Sequence, residues 1–290
     1  MVIDCHFHLE EELLTIDELT RKMDDAGVER VALMASMCEP FPEPARFLVG
    51  LLQYLLTHGY TRPLAKLLVA NFTADGNIKL PAGEYRIHRD PDNAPVFDTV
   101  KKYPGRFLGW VFVNPRGDRD PVEEIRRWKD TPGFIGVKAH PFWHRFTPVE
   151  LEAAAGECVK LGKPMLLHVG FGDHGDFASL LKRVPELKLV LAHAGFPRYA
   201  DTWAEIKKLP NVWVDLSQTS YTGEKTTRDA VDYLGAGRCL FGTDGPFGFQ
   251  GDDKKLDYGY IKARIERLFP DPAVSRRLLG ENFAELAGIA

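Results

Sequence analysis

Short apolar runs recur along the chain, most closed by Gly, Pro, Asn or a small polar residue and followed by a charged segment with apolar residues every third or fourth position. The runs at 2–8, 30–36, 107–114, 135–140, 165–170, 188–194, 212–217 and 239–244 predict eight strands. Stretches 15–26, 121–129, 148–161, 177–184 and 227–234 carry helical spacing between them. Strand followed by helix, repeated, is the pattern of βα units with parallel strands. Eight such units predict an α/β fold of the TIM (β/α)8 barrel type, because closure leaves no sheet edge. A doubly wound open sheet is the competing arrangement, but no Gly-rich phosphate loop follows the first run.

The rhythm breaks once, between the second and third strands. Residues 38–95 contain apolar helical segments at 45–57 and 62–71 and a Gly-, Pro- and Asn-rich tail, "ADGNIKLPAGEY". In a barrel this segment leaves the C-terminal end of the second strand, where active sites form, so it reads as a helical lid, a dimer contact or both. The chain is then one barrel over 1–290 with a helical insertion at 38–95.

The first run, "VIDCHFHL", is apolar enough for a buried strand yet places Asp4, His6 and His8 on alternate positions. Later runs also end in polar residues: "LLHVG" in His168, "LAHAG" in His193 and "LFGTDGP" in Asp244. In a barrel all of these lie at one rim. Two imidazoles one pleat repeat apart can point at one ion, with bonds of roughly 2.0–2.1 Å for zinc. His168 and Asp244 supply further contacts and leave a position for water. A cation offsets the cost of burying these groups, which amounts to several kcal/mol (roughly) when they are unpaired.

Composition narrows the partners. With 290 residues, 44% hydrophobic and 27% charged, the chain can bury a large core. Its net charge of -4 and the lack of a basic block give no electrostatic support for nucleic acid or an anionic membrane, so a small molecule is the expected partner. Cys5, Cys38, Cys158 and Cys239 form no CxxC pair and read as buried hydrophobes in a reducing cytoplasm. The run "FLVGLLQYLL" is about half the length of a membrane span, and no leader pattern precedes the first strand, so a cytoplasmic location is expected. The same run favours a homodimer if it is not a lid.

Taken together, "DCHFHL", "GVKAHP", "LLHVG", "LAHAG", "VWVDLS", "FGTDGP" and "GENFAELAGI" resemble the amidohydrolase superfamily of metal-dependent barrels, in its amidohydrolase-related group with aminocarboxymuconate semialdehyde decarboxylase and several lactonases. The resemblance implies one divalent ion, zinc or alternatively manganese, on His6, His8, His168 and Asp244. It implies Asp244 and His193 as catalytic, the first orienting or deprotonating water and the second bonding that water or the developing oxyanion. In two-metal members His193 would bind the second ion and a carboxylated Lys138 would bridge the pair. The one-metal reading leaves Lys138 an amine facing a carboxylate or an anionic substrate. His140, Trp143, Arg198 and Tyr221 are the substrate-binding candidates, with Arg116, His144, Arg145 and Phe247 also at strand ends; Asp4 and Asp215 would fix ligands or Lys138.

The implied activity is hydrolysis of an amide, lactone or ester of a small organic molecule by metal-activated water. Non-oxidative decarboxylation of an unsaturated or aromatic acid is the alternative. A binding protein with a purely structural ion is the non-enzymatic reading and predicts a closed coordination sphere.

Overall fold

The computed structural model describes residues 1–40, 46–69, 71–80, 83–247 and 256–289. Ten strands are present among them: β1 (Ile3–His8), β2 (Arg30–Met34), β3 (Ile78–Leu80), β4 (Gly83–Tyr85), β5 (Phe107–Phe112), β6 (Phe134–Ala139), β7 (Met165–Leu167), β8 (Leu189–Leu191), β9 (Val212–Asp215) and β10 (Cys239–Leu240). Eight form one parallel sheet in the order β1-β2-β5-β6-β7-β8-β9-β10. Backbone bonds from β1 to the chain after β10 close the sheet: Cys5 N–H to Phe241 O at 3.0 Å, Asp244 N–H to His6 O at 2.8 Å and His8 N–H to Gly245 O at 2.7 Å. A Cβ on Gly245 would lie 2.3 Å from the Phe7 ring, so this approach requires glycine. The result is the expected TIM barrel.

The barrel strands are buried along nearly their whole length, which is why they read as continuous apolar runs. Trp110 on β5 spans the interior and donates its indole N–H to Cys5 O at 2.9 Å. Outside, helix Ile16–Ala26 packs Ile16, Leu19 and Met23 inward, starts at a Thr15/Glu18 capping box and stops at Gly27, whose φ of 67° ends the helix.

Several strands stop short of the sequence runs. The 165–170, 188–194, 212–217 and 239–244 runs yield β7, β8, β9 and β10, each ending before its last polar residues. At three of the four ends the backbone turns left-handed: His193 has φ 55°, Gln218 61° and Asp244 61°. An L residue there cannot continue a ladder and carries a strain of about 1–3 kcal/mol. His168, His193 and Asp244 therefore stand in loops directly above the strands.

The insertion holds helices Arg46–Thr57 and Arg62–Val69. Its tail, despite its Gly and Pro content, forms the antiparallel β3–β4 pair. Residues 94–102, to which the pattern assigns no element, form helix Ala94–Lys102 with Val96, Phe97 and Val100 buried. Helix Tyr258–Leu268 is likewise absent from the pattern reading. Among the described residues no helix is long and apolar enough to cross a membrane.

Candidate metal and catalytic site

The site begins at an irregularity in β1. Opposite β2, Asp4 pairs with Val31 and Phe7 with Leu33, so β1 carries one extra residue between them. Such a bulge breaks the simple alternation and re-aims side chains. Asp4 consequently departs from the face it was expected to share with the histidines. Its carboxylate accepts Thr243 N–H at 3.0 Å, Thr243 O–H at 2.5 Å, Tyr258 O–H at 3.0 Å and His6 N–H at 3.1 Å. Burial raises its pKa to about 6, against the lowering effect of these bonds. Asp4 thus ties the loop after β10 to β1 and delivers Asp244.

Asp244 meets both histidines of β1. Its Oδ1 lies 3.0 Å from His6 Nε2 and 3.4 Å from His8 Nε2, and its Oδ2 accepts the Gln218 amide at 2.8 Å. Burial opposes the charge, but His193, His6 and His8 outweigh it and hold the Asp244 pKa well below the carboxylate range. Asp244 is ionised.

Asp215, at the end of β9, determines where the protons of the surrounding imidazoles reside. It is fully buried, and although burial opposes its charge, attraction from His6, His193 and its hydrogen bonds keeps it ionised, hence acceptor-only. Its Oδ2 faces His6 Nδ1 at 2.9 Å, and its Oδ1 accepts His193 N–H at 2.9 Å and the Ser217 hydroxyl. With its proton committed, Ser217 Oγ must accept from His193 Nδ1 at 2.8 Å. Burial drives the His193 pKa down to about 4, so the ring is neutral and its Nε2 is a bare lone pair. That lone pair receives the proton of His168 Nδ1 at 3.1 Å, leaving His168 Nε2 bare in turn. One carboxylate thereby fixes the tautomers of three rings.

Lys138, on β6, reaches across the barrel to 3.3 Å from His6 Nε2. Burial lowers its pKa to about 8, against the pull of Asp244 and Asp215. His140 stacks on His168 with ring centroids 3.9 Å apart and lies 5.2 Å from the Trp143 ring. Tyr221 stands 5.7 Å from His193 and 5.1 Å from Phe196, which is 5.3 Å from His168. Phe247 lies 5.7 Å from His8. These residues gather. Others do not: Arg198 pairs with Glu205 at 2.6 Å, Arg116 with Glu150 at 2.9 Å, His144 bonds His88 O at 3.0 Å, and Arg145 lies over Phe72. Among them Arg198, expected to grip substrate, has a carboxylate partner on its own loop and helix.

Ser217 and Gln218 bond to His193, Asp215 and Asp244 within this cluster, and motif reading passed over both. The signal was present: "VWVDLS" is followed by Gln218, so the polar residues continue past the strand end.

The donor set suits a divalent cation. His6, His8 and Asp244 present ligand atoms within 4.8 Å of one another, all buried. Bonds of roughly 2.0–2.1 Å at tetrahedral angles separate ligand atoms by about 3.3 Å, comparable to the 3.0 and 3.4 Å found. Burial and Lys138 push the His6 pKa down, but Asp215 and Asp244 overcome them and raise it, so positive charge is favoured between the carboxylates. A proton or a metal ion meets the same demand. His193 and Asp215 with His6 form a second such group. Imidazole with carboxylate accommodates zinc and, with more oxygen ligands, manganese.

No curated protein matches the sequence. Solved structures share the fold. The 2,6-dihydroxybenzoate decarboxylase from Rhizobium superposes with a TM-score of 0.60 at 17% identity, covering 99% of this chain and 98% of that one. A probable 2-pyrone-4,6-dicarboxylic acid hydrolase from Acinetobacter baumannii, with citric acid bound, gives 0.62 at 14% and 99% of each chain. The 5-carboxyvanillate decarboxylase from Novosphingobium aromaticivorans, complexed with manganese and 4-hydroxy-3-methoxy-5-nitrobenzoic acid, gives 0.57 at 14%, covering 93% and 79%. The amidohydrolase family profile matches residues 3–288. The match runs from β1 to the last helix, and the chain belongs to the amidohydrolase family.

Proposed function

We propose that this chain is a metal-dependent hydrolase that uses water to cleave an amide, lactone or ester bond in a small organic molecule. The observation that carries the reading is the convergence of His6, His8 and Asp244 within 4.8 Å, beside a neutral His193. His168, its Nε2 bare, is the fourth candidate ligand. An ion held by these side chains, when bound, polarises a substrate oxygen and lowers the pKa of water to about 7.

The chain's own groups manage the protons. Asp244, ionised and steadied by Gln218, accepts the proton lost when water adds to the carbonyl carbon. Handing that proton to the departing oxygen or nitrogen restores the carboxylate. His193 Nε2, 4.0 Å from Asp244 Oδ2, borders the same space with its lone pair engaged by His168 Nδ1 at 3.1 Å. Lys138 brings positive charge to the floor of the site, and Trp143, Phe196 and Tyr221 supply flat apolar walls.

Decarboxylation of an aromatic or unsaturated acid is the second reading, favoured by the likeness to decarboxylases of aromatic acids. It requires a proton donor to carbon. Hydrolysis is placed first because it calls for a proton acceptor, which the ionised Asp244 supplies. The test is to supply zinc or manganese and a panel of lactones, amides and benzoic acids, reading product mass. Addition of one water to a substrate supports the proposal. Loss of carbon dioxide establishes the second reading, and turnover unchanged in Asp244→Asn overturns the role assigned to that residue.

A further inference from the structure

Among the described residues 12 large apolar side chains are exposed, and eight of them fall between residues 47 and 68 of the insertion. Phe47, Leu51 and Tyr54 recur on one face of helix Arg46–Thr57, and Leu64, Leu67 and Leu68 share one face of helix Arg62–Val69. Phe47 is 73% and Leu67 75% exposed. The two helices pack side by side as a hairpin, and in its turn Tyr60 stands with its hydroxyl 3.4 Å from that of Tyr54. An apolar surface this concentrated marks an interaction site, where scattered exposed leucines mark nothing. The hairpin's other side is already engaged: Leu55, Leu56 and Ala65 are buried, Gln53 donates to Thr219 O at 2.8 Å, and Arg62 pairs with Asp201 at 2.8 Å. One side fastens the hairpin to its own barrel, so the outward side is not the closing face of a lid over that barrel.

Area and charge select what covers it. Scaled by their exposures, the eight side chains present on the order of 1,000 Å² per copy, so two copies that covered two thirds of it would bury about 1,300 Å², inside the roughly 1,200–2,000 Å² of stable interfaces. Residues 44–74 include no acidic residue and, as cations, Arg46, Arg62 and Lys66, of which Arg62 is neutralised by Asp201. Two remaining cations on a chain of net charge -4 are a poor hold on an anionic lipid surface. A second copy needs no such hold, because two apolar faces meet with little charge to oppose them, and two-fold pairing sets each hairpin on its counterpart. We propose that this hairpin is the interface with a second copy of the chain, making the protein a two-fold homodimer. The inference is independent of the hydrolase reading.

Sedimentation velocity on the full chain reads the mass directly, at concentrations of about 1 and 50 µM. The expected result is dimer mass for the wild type at the higher concentration, and monomer mass for the double variant Leu51→Glu/Leu67→Glu with its circular dichroism unchanged. The control Leu13→Glu/Tyr260→Glu, which places the same charges on exposed side chains elsewhere, stays dimeric. A second measurement does not depend on how the glutamate variants fold. All four native cysteines are buried, so in Leu67→Cys a short bis-maleimide reacts at the new thiol alone. Covalent dimers are expected from Leu67→Cys and not from Leu13→Cys. A monomeric wild type at the higher concentration overturns the proposal, and so does a well-folded glutamate variant of the hairpin that remains dimeric. Absence of cross-linked dimer from Leu67→Cys overturns it as well. A wild type that is monomeric in solution but floats with vesicles of phosphatidylcholine and phosphatidylserine shows that lipid, and not a second copy, covers the face.

Discussion

The loops above β7–β10 and the insertion between β2 and β5 both lie outside the barrel sheet, yet they are held by opposite means. In the loops, His193, Gln218 and Asp244 adopt costly left-handed backbone, and each is pinned by buried hydrogen bonds to Asp215, Ser217 or its neighbours. In the insertion, Phe47, Leu51, Tyr60 and Leu67 are exposed, and polar ties to the barrel include Gln53 to Thr219 O at 2.8 Å and Arg62 to Asp201 at 2.8 Å. Buried polar groups must be satisfied and so impose one geometry; exposed apolar groups impose none. The proposed chemistry uses the first kind of segment.

Breaking the pinned region has the largest consequence. Asp244→Asn is expected to cut turnover on the order of 10³-fold while the protein stays folded, read by steady-state kinetics and circular dichroism together. Asp215→Asn touches no substrate, yet it frees the tautomers of His6 and His193. We expect metal affinity and turnover to fall by about 10- to 100-fold, with metal titration as the check; unchanged affinity would show that the imidazoles are oriented by packing alone.

Glu10 sharpens the contrast through pH. Burial raises its pKa to about 7, against a weaker hydrogen bond from Ser36, and its Oε1 is an orphan. The folded protein therefore binds this proton more tightly than the unfolded chain. The stability so gained is complete below the unfolded value of 4.5 and is lost as pH rises through about 7. Glu10→Gln is expected to stabilise the protein by about 1–2 kcal/mol above neutrality, and to do nothing once the pH is below the unfolded value of 4.5. Urea melts at both pH values decide it. The smallest effects belong to the insertion's surface: at concentrations too low for pairing, Leu51→Ser or Leu67→Ser is expected to change the stability of the single chain by no more than about 0.5 kcal/mol, and a larger loss would mean that the chain itself covers this face.

Much of the site was legible because its residues sit at a repeated place. His6 and His8 in an apolar first run, His168 after "LL", His193 after "LA" and Asp244 after "FGT" all mark strand ends. Arg198 also follows a strand end, and there the pattern misled: nothing in the sequence says that Glu205, seven residues further on in the next helix, lies in reach of the guanidinium. Gln218 escaped for a related reason, since its role depends on Asp244, which is distant in the chain. The tail at 74–85 was assigned no strand, because the β3–β4 ladder is only three pairs long and too short to show alternation.

The sequence alone determined the alternation of strands and helices, the closure into a barrel and the rim on which the histidines stand, because periodicity and burial are properties of neighbouring residues. Tertiary structure decided the β1 bulge, the tautomers set by Asp215 and the ionisation of Asp244. Each of these depends on which groups face one another across the barrel, and electrostatics at such short range inside a dry core is set by distances that no local pattern encodes.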